Sequence, residues 1–87
     1  MTIVTAYSYI MTRRDKLLAK ARANPKGLSF AELERLLTHS GFVLARQSSS
    51  HRIWLSPAHR AIPIQPDRGR AKAYQVVQVL RLIEEDA

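Results

Sequence analysis

Apolar residues recur at helical spacing in two stretches of the N-terminal half of the chain. Residues 12–23 are mostly good helix formers, and their predicted apolar stripe is Leu17, Leu18 and Ala21. Residues 24–27, Asn-Pro-Lys-Gly, should end this helix because proline and glycine interrupt helical backbone. Ser29 and Glu32 then have the spacing of a capping box, which predicts the start of a second helix. The apolar face of that helix is Phe30, Leu33, Leu36 and Leu37.

A third helix is predicted near the C-terminus, over residues 71–84. Its apolar face contains Val76, Leu80 and Ile83. The side chains expected on the opposite, polar face are Gln75, Gln78 and Arg81. The loop that leads into this helix, residues 66–70, reads Pro-Asp-Arg-Gly-Arg.

Three short stretches between the second and third helices have the composition of β-strands, namely residues 42–47, 51–56 and 61–65. Residues 48–50 and 57–60 read as turns between them, so we expect an antiparallel meander. Pro63 cannot donate a hydrogen bond to a neighbouring strand, which favours an edge strand or a bulge there. The predicted fold class is α+β, a three-stranded antiparallel sheet covered on one face by helices in the order α-α-β-β-β-α.

The length and composition limit the classes of protein to consider. At 87 residues there is room for one domain, which we place over residues 12–87 after an N-terminal extension of residues 1–11. The absence of cysteine excludes disulfide and thiolate chemistry and fits a cytoplasmic protein. No run approaches the ~20 apolar residues of a transmembrane helix, so we expect no membrane partner.

The net charge of +7 is unevenly distributed along the chain. Between positions 42 and 81 a single acid, Asp67, stands among the basic residues Arg46, Arg52, Arg60, Arg68, Arg70, Lys72 and Arg81. A segment this cationic predicts a polyanionic partner such as RNA, and the alternative is a merely solvated basic surface. On the first interpretation, Arg46, Arg68, Arg70 and Lys72 would contact phosphates.

The stretch from Arg46 to Trp54, Arg-Gln-Ser-Ser-Ser-His-Arg-Ile-Trp, contains the candidate chemistry. RNA carries its own nucleophile, the 2′-hydroxyl, so its cleavage needs only proton transfer and charge stabilisation. An imidazole suits proton transfer near neutral pH, which makes His51 a candidate catalytic residue. The alternative is a partly buried histidine that bonds a backbone carbonyl. The three histidines lack metal-ligand spacing, so neither a metal ion nor another cofactor is expected.

The neighbours of His51 allow two interpretations each. Ser49 and Ser50 offer amide and hydroxyl donors to a phosphate, or simply form the turn. Arg52 and Trp54 lie on the same face of the strand because side chains alternate along it. This face would be an RNA-contacting surface, or Trp54 would instead be a core residue. His59 would be a second proton-transfer group only if its turn folded back over His51.

These elements, in this order, resemble the HicA family, the small ribonuclease toxins of bacterial and archaeal toxin–antitoxin pairs. The resemblance runs from about Leu28 to Glu85 and is carried by FAELERLLTHSGFVLARQ, SSSHRIW, IPIQP and AKAYQVVQVLRLIEE. In the family the turn usually reads Gly-Ser-His, and its histidine is catalytic. By position, these residues are Ser49, Ser50 and His51, so a serine replaces the family's glycine.

The resemblance implies a fold like that of double-stranded-RNA-binding domains and metal-independent cleavage of mRNA, with His51 as the catalytic residue. It also implies neutralisation by a cognate HicB-like antitoxin. We expect the cleavage to tolerate many RNA sequences. Two alternatives stay open: an RNA-binding module whose catalysis is impaired by Ser49, and a basic domain that binds an acidic protein.

Overall fold

The structure, a computed structural model, describes residues 11–86. Its elements are α1 (Arg13–Ala23), α2 (Phe30–His39), β1 (Val43–Ser48), β2 (His51–Leu55), β3 (Ala61–Ile64) and α3 (Ala73–Glu85), with a 3₁₀ turn (Pro25–Gly27) between α1 and α2. This order confirms the predicted α+β class. The predicted N-terminal extension lies, except for Met11, outside the described residues.

The capping box that predicts α2 is present. The Glu32 amide donates to the Ser29 hydroxyl at 3.1 Å, and the Ser29 amide donates to the Glu32 carboxylate at 2.9 Å. Lys20 on α1 donates to the same carboxylate at 2.7 Å, which ties the first two helices together. The Lys20 ammonium and then the Ser29 amide lower the pKa of Glu32 to about 2.

The three strands form an antiparallel sheet in the order β1-β2-β3, so β2 is central. Pro63 lies on β3, and the prediction of an edge strand there is confirmed. The register between β1 and β2 shifts between Leu44 and Arg46, which marks a β-bulge. Cross-strand partners share a face of the sheet, so the register decides which side chains meet.

The helices cover one face of the sheet, and Trp54 of β2 points into the core on that side, with only 6% of its surface exposed. The core interpretation of Trp54 is therefore confirmed. The other buried apolar side chains of the sheet and of α2 and α3 are Ile62, Ile64, Phe30, Leu33, Leu36, Leu37, Val76, Val79 and Ile83. The opposite face of β2 carries His51, Ile53 and Leu55, which are exposed or half-buried.

The start of α3 differs from the prediction. The helix begins at Ala73, and Lys72 is its N-cap residue. Gln75, expected on the polar face, is instead 5% exposed, and its side-chain oxygen accepts a hydrogen bond from the Gln65 amide at 3.3 Å. A buried amide is tolerated here because it bonds the backbone just after β3. Within residues 11–86, the structure contains no helix that is long and apolar enough to span a bilayer.

Candidate active site and nucleic-acid interface

The loop before His51 is a two-residue hairpin turn. Ser48 pairs with His51, which leaves Ser49 and Ser50 as the central residues. The φ angle of Ser49 is +56°, whereas that of Ser50 is not positive. This φ pattern is that of a type II′ turn, which favours glycine at its first central position. A non-glycine residue pays roughly 1–2 kcal/mol for a left-handed conformation.

His51 lies at the start of β2 with its side chain exposed, so the partly buried alternative is not what the structure shows. The imidazole borders a groove of about 320 Å³ between the end of β3 and the start of α3. The groove is also lined by Pro63, Ile64, Gln65, Tyr74, Gln75 and Gln78. We call it the His51 groove. It is accessible to a ligand, and the exposed Gln78 adds a polar amide to its wall.

Arg46 lies on the same face of the sheet as His51. It pairs across the strands with Ile53, two residues along β2 from the histidine. Diagonal neighbours of this kind have Cα atoms about 7–8 Å apart, within reach of a long side chain. Arg46 is exposed, so it places a mobile positive charge beside the imidazole. Among the predicted cations, the register brings this one to the His51 side of the sheet.

Arg52 lies on the opposite face, the one covered by helices. Its guanidinium forms an ion pair with Glu34 of α2 and lies over the ring of Phe30, 5.5 Å from the ring centroid. Arginine is well suited to such combined ionic and aromatic contacts. The predicted RNA contact of Arg52 would therefore lie on the other side of the sheet from His51, and we assign this residue to the packing between β2 and α2.

A second groove, of about 630 Å³, lies at the start of α3. Its cationic lining residues are Lys26, Arg68, Arg70 and Lys72. We call it the basic groove. Asp67 is the one acid among the described residues that line it. Of the four predicted phosphate contacts, Arg68, Arg70 and Lys72 line this groove, whereas Arg46 does not. Lys26, from the distant 3₁₀ turn, was not predicted from the sequence.

The loop of the basic groove is a tight turn. The amide and carbonyl groups of Asp67 and Arg70 bond each other at 2.9 and 3.0 Å. Between them, Arg68 and Gly69 have φ angles of +52° and +79°, the pattern of a type I′ turn. Arginine is costly in this conformation, and its side chain is 93% exposed. Such strain is typical of functional positions.

Backbone hydrogen bonds hold this loop against the connection between α1 and α2. The Phe30 amide donates to the Gly69 carbonyl at 3.0 Å, and the Ala71 amide donates to the Leu28 carbonyl at 3.1 Å. The Arg70 guanidinium donates to the Lys26 carbonyl at 3.0 Å. The backbone of the basic groove and the guanidinium of Arg70 are thus held against the rest of the fold.

The N-terminus of α3 adds to the positive potential of the basic groove. Lys72 forms no side-chain cap, and the first turn contains no acidic residue. The amide groups and dipole of a helix N-terminus favour negative charge nearby. An anion in the basic groove would therefore meet side-chain cations and the positive end of a 13-residue helix together.

The other two histidines lie away from this site. His39 is in the last turn of α2, where a cation is favourable. His59 lies in the turn between β2 and β3, at the far end of β2 from His51, about 13 Å along the strand at ~3.3 Å per residue. It does not fold back over His51. Within residues 11–86, no three histidine or acidic side chains are grouped to hold a metal ion.

Comparison with known proteins points to one family. A family model described as the HicA toxin of bacterial toxin–antitoxin systems matches residues 30–84, which include both grooves except Lys26. No curated protein and no solved structure matches the chain.

Proposed function

Because this chain belongs to the HicA family of bacterial toxin–antitoxin toxins, we propose that it is an endoribonuclease that cleaves mRNA with little sequence preference and without a metal ion. The observation that carries this proposal is the exposed His51, which borders a groove that shares the wall residue Tyr74 with the basic groove. A proton-transfer group near a cationic surface is what cleavage of RNA by its own 2′-hydroxyl requires.

In the proposed reaction, His51 accepts the proton of the 2′-hydroxyl. The 2′-oxygen attacks the adjacent phosphorus, the bond from phosphorus to the 5′-oxygen breaks, and water protonates the departing oxygen. The products are a 2′,3′-cyclic phosphate and a 5′-hydroxyl end. A positioned general base contributes roughly 10²–10⁴-fold to the rate of such a step.

The residues around His51 supply charge stabilisation. Arg46, diagonal to the imidazole on the open face of the sheet, neutralises the phosphate under attack. The backbone amides and hydroxyls of Ser49 and Ser50 donate to its free oxygens. Arg68, Arg70 and Lys72 hold the neighbouring phosphates in the basic groove.

The test is cleavage of a single-stranded RNA by purified protein in EDTA. Wild type should cleave, and His51→Ala should lose at least about 10²-fold in rate. The matched control is His59→Ala, which removes an exposed histidine at the other end of β2 and should keep wild-type activity. Intact RNA after incubation with wild type, or equal rates for wild type and His51→Ala, would contradict the proposal.

We further propose that the partner in the toxin–antitoxin pair is a HicB-like antitoxin that acts with this chain in the cytoplasm. It would cover His51 and present acidic groups to the basic groove, since the chain has a net charge of +7. Induction of wild type, but not of His51→Ala, should arrest growth, and co-expression of the antitoxin should restore it. Arrest that persists in His51→Ala would exclude a role for that imidazole in toxicity.

A second candidate function is an RNA-binding module with impaired catalysis. The observation that favours it is Ser49 at the position of the family's glycine, in a left-handed conformation. The serine keeps the turn, but its side chain occupies space that a glycine leaves to the phosphate. In this case wild type should bind RNA without cleaving it, and Ser49→Gly should produce cleavage that depends on His51.

A further inference from the structure

Tyr74 connects the two grooves of the site. It is in the first turn of α3, is 60% exposed, and contributes to the walls of both the His51 groove and the basic groove. No other described residue lines both. Its ring is open to a ligand at the one place where the described linings of the two grooves meet, and tyrosine combines an apolar ring with a polar hydroxyl.

We propose that Tyr74 is a positioning residue on which one base of a single-stranded RNA stacks, between a phosphate held in the basic groove and the ribose-phosphate at His51. This inference rests on the proposed function and extends it to a particular contact. Cations that follow the backbone, interrupted by an exposed aromatic ring, are the usual arrangement for sequence-tolerant binding of single strands. Stacking on the ring fixes where the chain enters the His51 groove.

The geometry favours a single strand over a duplex. In an RNA helix the faces of the bases are stacked on each other, so a protein side chain that does not intercalate cannot stack on them. In a single strand each base has a free face. Since every base has such a face, stacking on Tyr74 also accounts for little sequence preference. The ring would act through position and not through proton transfer.

The test measures binding separately from cleavage. Full-length His51→Ala protein is titrated into a fluorescent single-stranded RNA octamer, with fluorescence anisotropy as the readout. Adding Tyr74→Ala should weaken binding by about 5- to 150-fold, the range of base–aromatic stacking, whereas Tyr74→Phe should stay within about twofold. The control is Val77→Ala, an exposed apolar residue of the same helix that lines neither groove. Its affinity should be unchanged.

A second arm identifies the stacked base. One abasic nucleotide is moved along the octamer, and at one position it should weaken binding to the protein with Tyr74 but not to Tyr74→Ala. Equal effects of every abasic position in both proteins would overturn the inference. A loss of affinity with Tyr74→Phe as large as that with Tyr74→Ala would also overturn it, because it would indicate a hydroxyl contact. So would a loss of affinity for duplex RNA with Tyr74→Ala equal to the loss for the single strand.

The outcome is distinguishable from failure of the proposed function. If wild type leaves RNA intact but the octamer binds with the expected dependence on Tyr74, the nuclease proposal fails and the stacking inference stands. If wild type cleaves RNA and Tyr74→Ala changes neither affinity nor the Michaelis constant, the inference fails alone. Absence of octamer binding at physiological salt would overturn the stacking inference and favour an acidic protein as the partner of the basic groove.

Discussion

Replacement of Ser49 by glycine tests the central feature of the site, the turn that presents His51. Ser49 has a φ angle of +56° in a two-residue hairpin loop, a conformation in which its Cβ atom is crowded by the backbone. Glycine has no Cβ and adopts this φ without that cost. Ser49→Gly should therefore stabilise the fold while leaving the register of β1 and β2 unchanged.

The expected size of this effect follows from two opposing contributions. Removal of the Cβ atom from this left-handed conformation raises the free energy of unfolding by about 1–2 kcal/mol. The greater conformational freedom of glycine in the unfolded chain lowers the free energy of unfolding by about 0.5–1 kcal/mol. The net gain is roughly 0.5–1 kcal/mol. In a domain of this length, 1 kcal/mol corresponds to about 4–8 °C, so the midpoint of thermal unfolding should rise by roughly 2–8 °C.

The adjacent serine provides a matched control. The φ of Ser50 is not positive, so Ser50→Gly relieves no backbone strain in the folded state. It only increases the conformational entropy of the unfolded chain, which lowers stability. Its unfolding midpoint, measured by circular dichroism at the same pH, should fall by a similar amount. Equal shifts of the two variants in either direction would refute the reasoning, because then the conformation of residue 49 would not matter.

Two further changes test the electrostatics of the site and of the fold. If Arg46 and the four cations of the basic groove each meet one phosphate, the affinity of His51→Ala protein for single-stranded RNA should fall by about 3.5 log units per tenfold rise in salt. Lys72→Gln should lower this slope by about 0.7, whereas the exposed Lys16→Gln on α1 should not change it. Because Lys20 and the Ser29 amide lower the pKa of Glu32 to about 2, its charge stabilises the folded state above the unfolded value of about 4.3, and this contribution is lost as pH falls towards 2. Glu32→Gln should therefore be about 1–3 kcal/mol less stable than wild type at pH 7 in urea unfolding. The difference should shrink as pH falls below about 4.3 and should be lost only below pH 2, and a difference that stays constant would contradict the assignment.

The elements of the fold were predictable because each has a local signal. The capping box of Ser29 and Glu32 marks the start of α2, and the apolar spacing identifies its buried face. Pro63 indicates an edge strand because it removes a donor, and β3 is an edge strand. These signals act over four or five residues, so they do not depend on knowledge of the tertiary structure.

The surroundings of Gln75 and Arg52 depend on contacts between distant parts of the chain. Gln75 is on a polar position of its own helix, yet it is buried because it bonds the Gln65 amide beyond the end of β3. Arg52 resembles any other cation of the basic segment, and only the packing of α2 against the sheet supplies Glu34 and Phe30 as its partners. No periodicity in a single segment contains this information.

The same limit explains why Lys26 and Tyr74 were missed. Lys26 comes from the 3₁₀ turn before α2, more than 40 residues from Lys72 in the chain, and joins the basic groove because the Leu28 carbonyl and the Phe30 amide hold the loop there. Tyr74 had one usable signal, an aromatic residue two positions after the last cation of residues 68–72. Its meaning depends on the groove that β3 and α3 enclose, which a sequence does not show.

The sheet divides the requirements of folding from those of the proposed function. On β2, Trp54 packs in the core under the helices and Arg52 pairs with Glu34 of α2. His51 faces outward, on the same face of the sheet as Arg46. Alternation along a strand makes this division automatic, since neighbouring residues point to opposite faces. A change at His51 therefore removes the proposed proton-transfer group with little effect on packing, whereas a change at Trp54 disrupts the core. For a residue of β2, loss of activity is evidence for a role in the site only where the fold is retained, which is expected on the outward face.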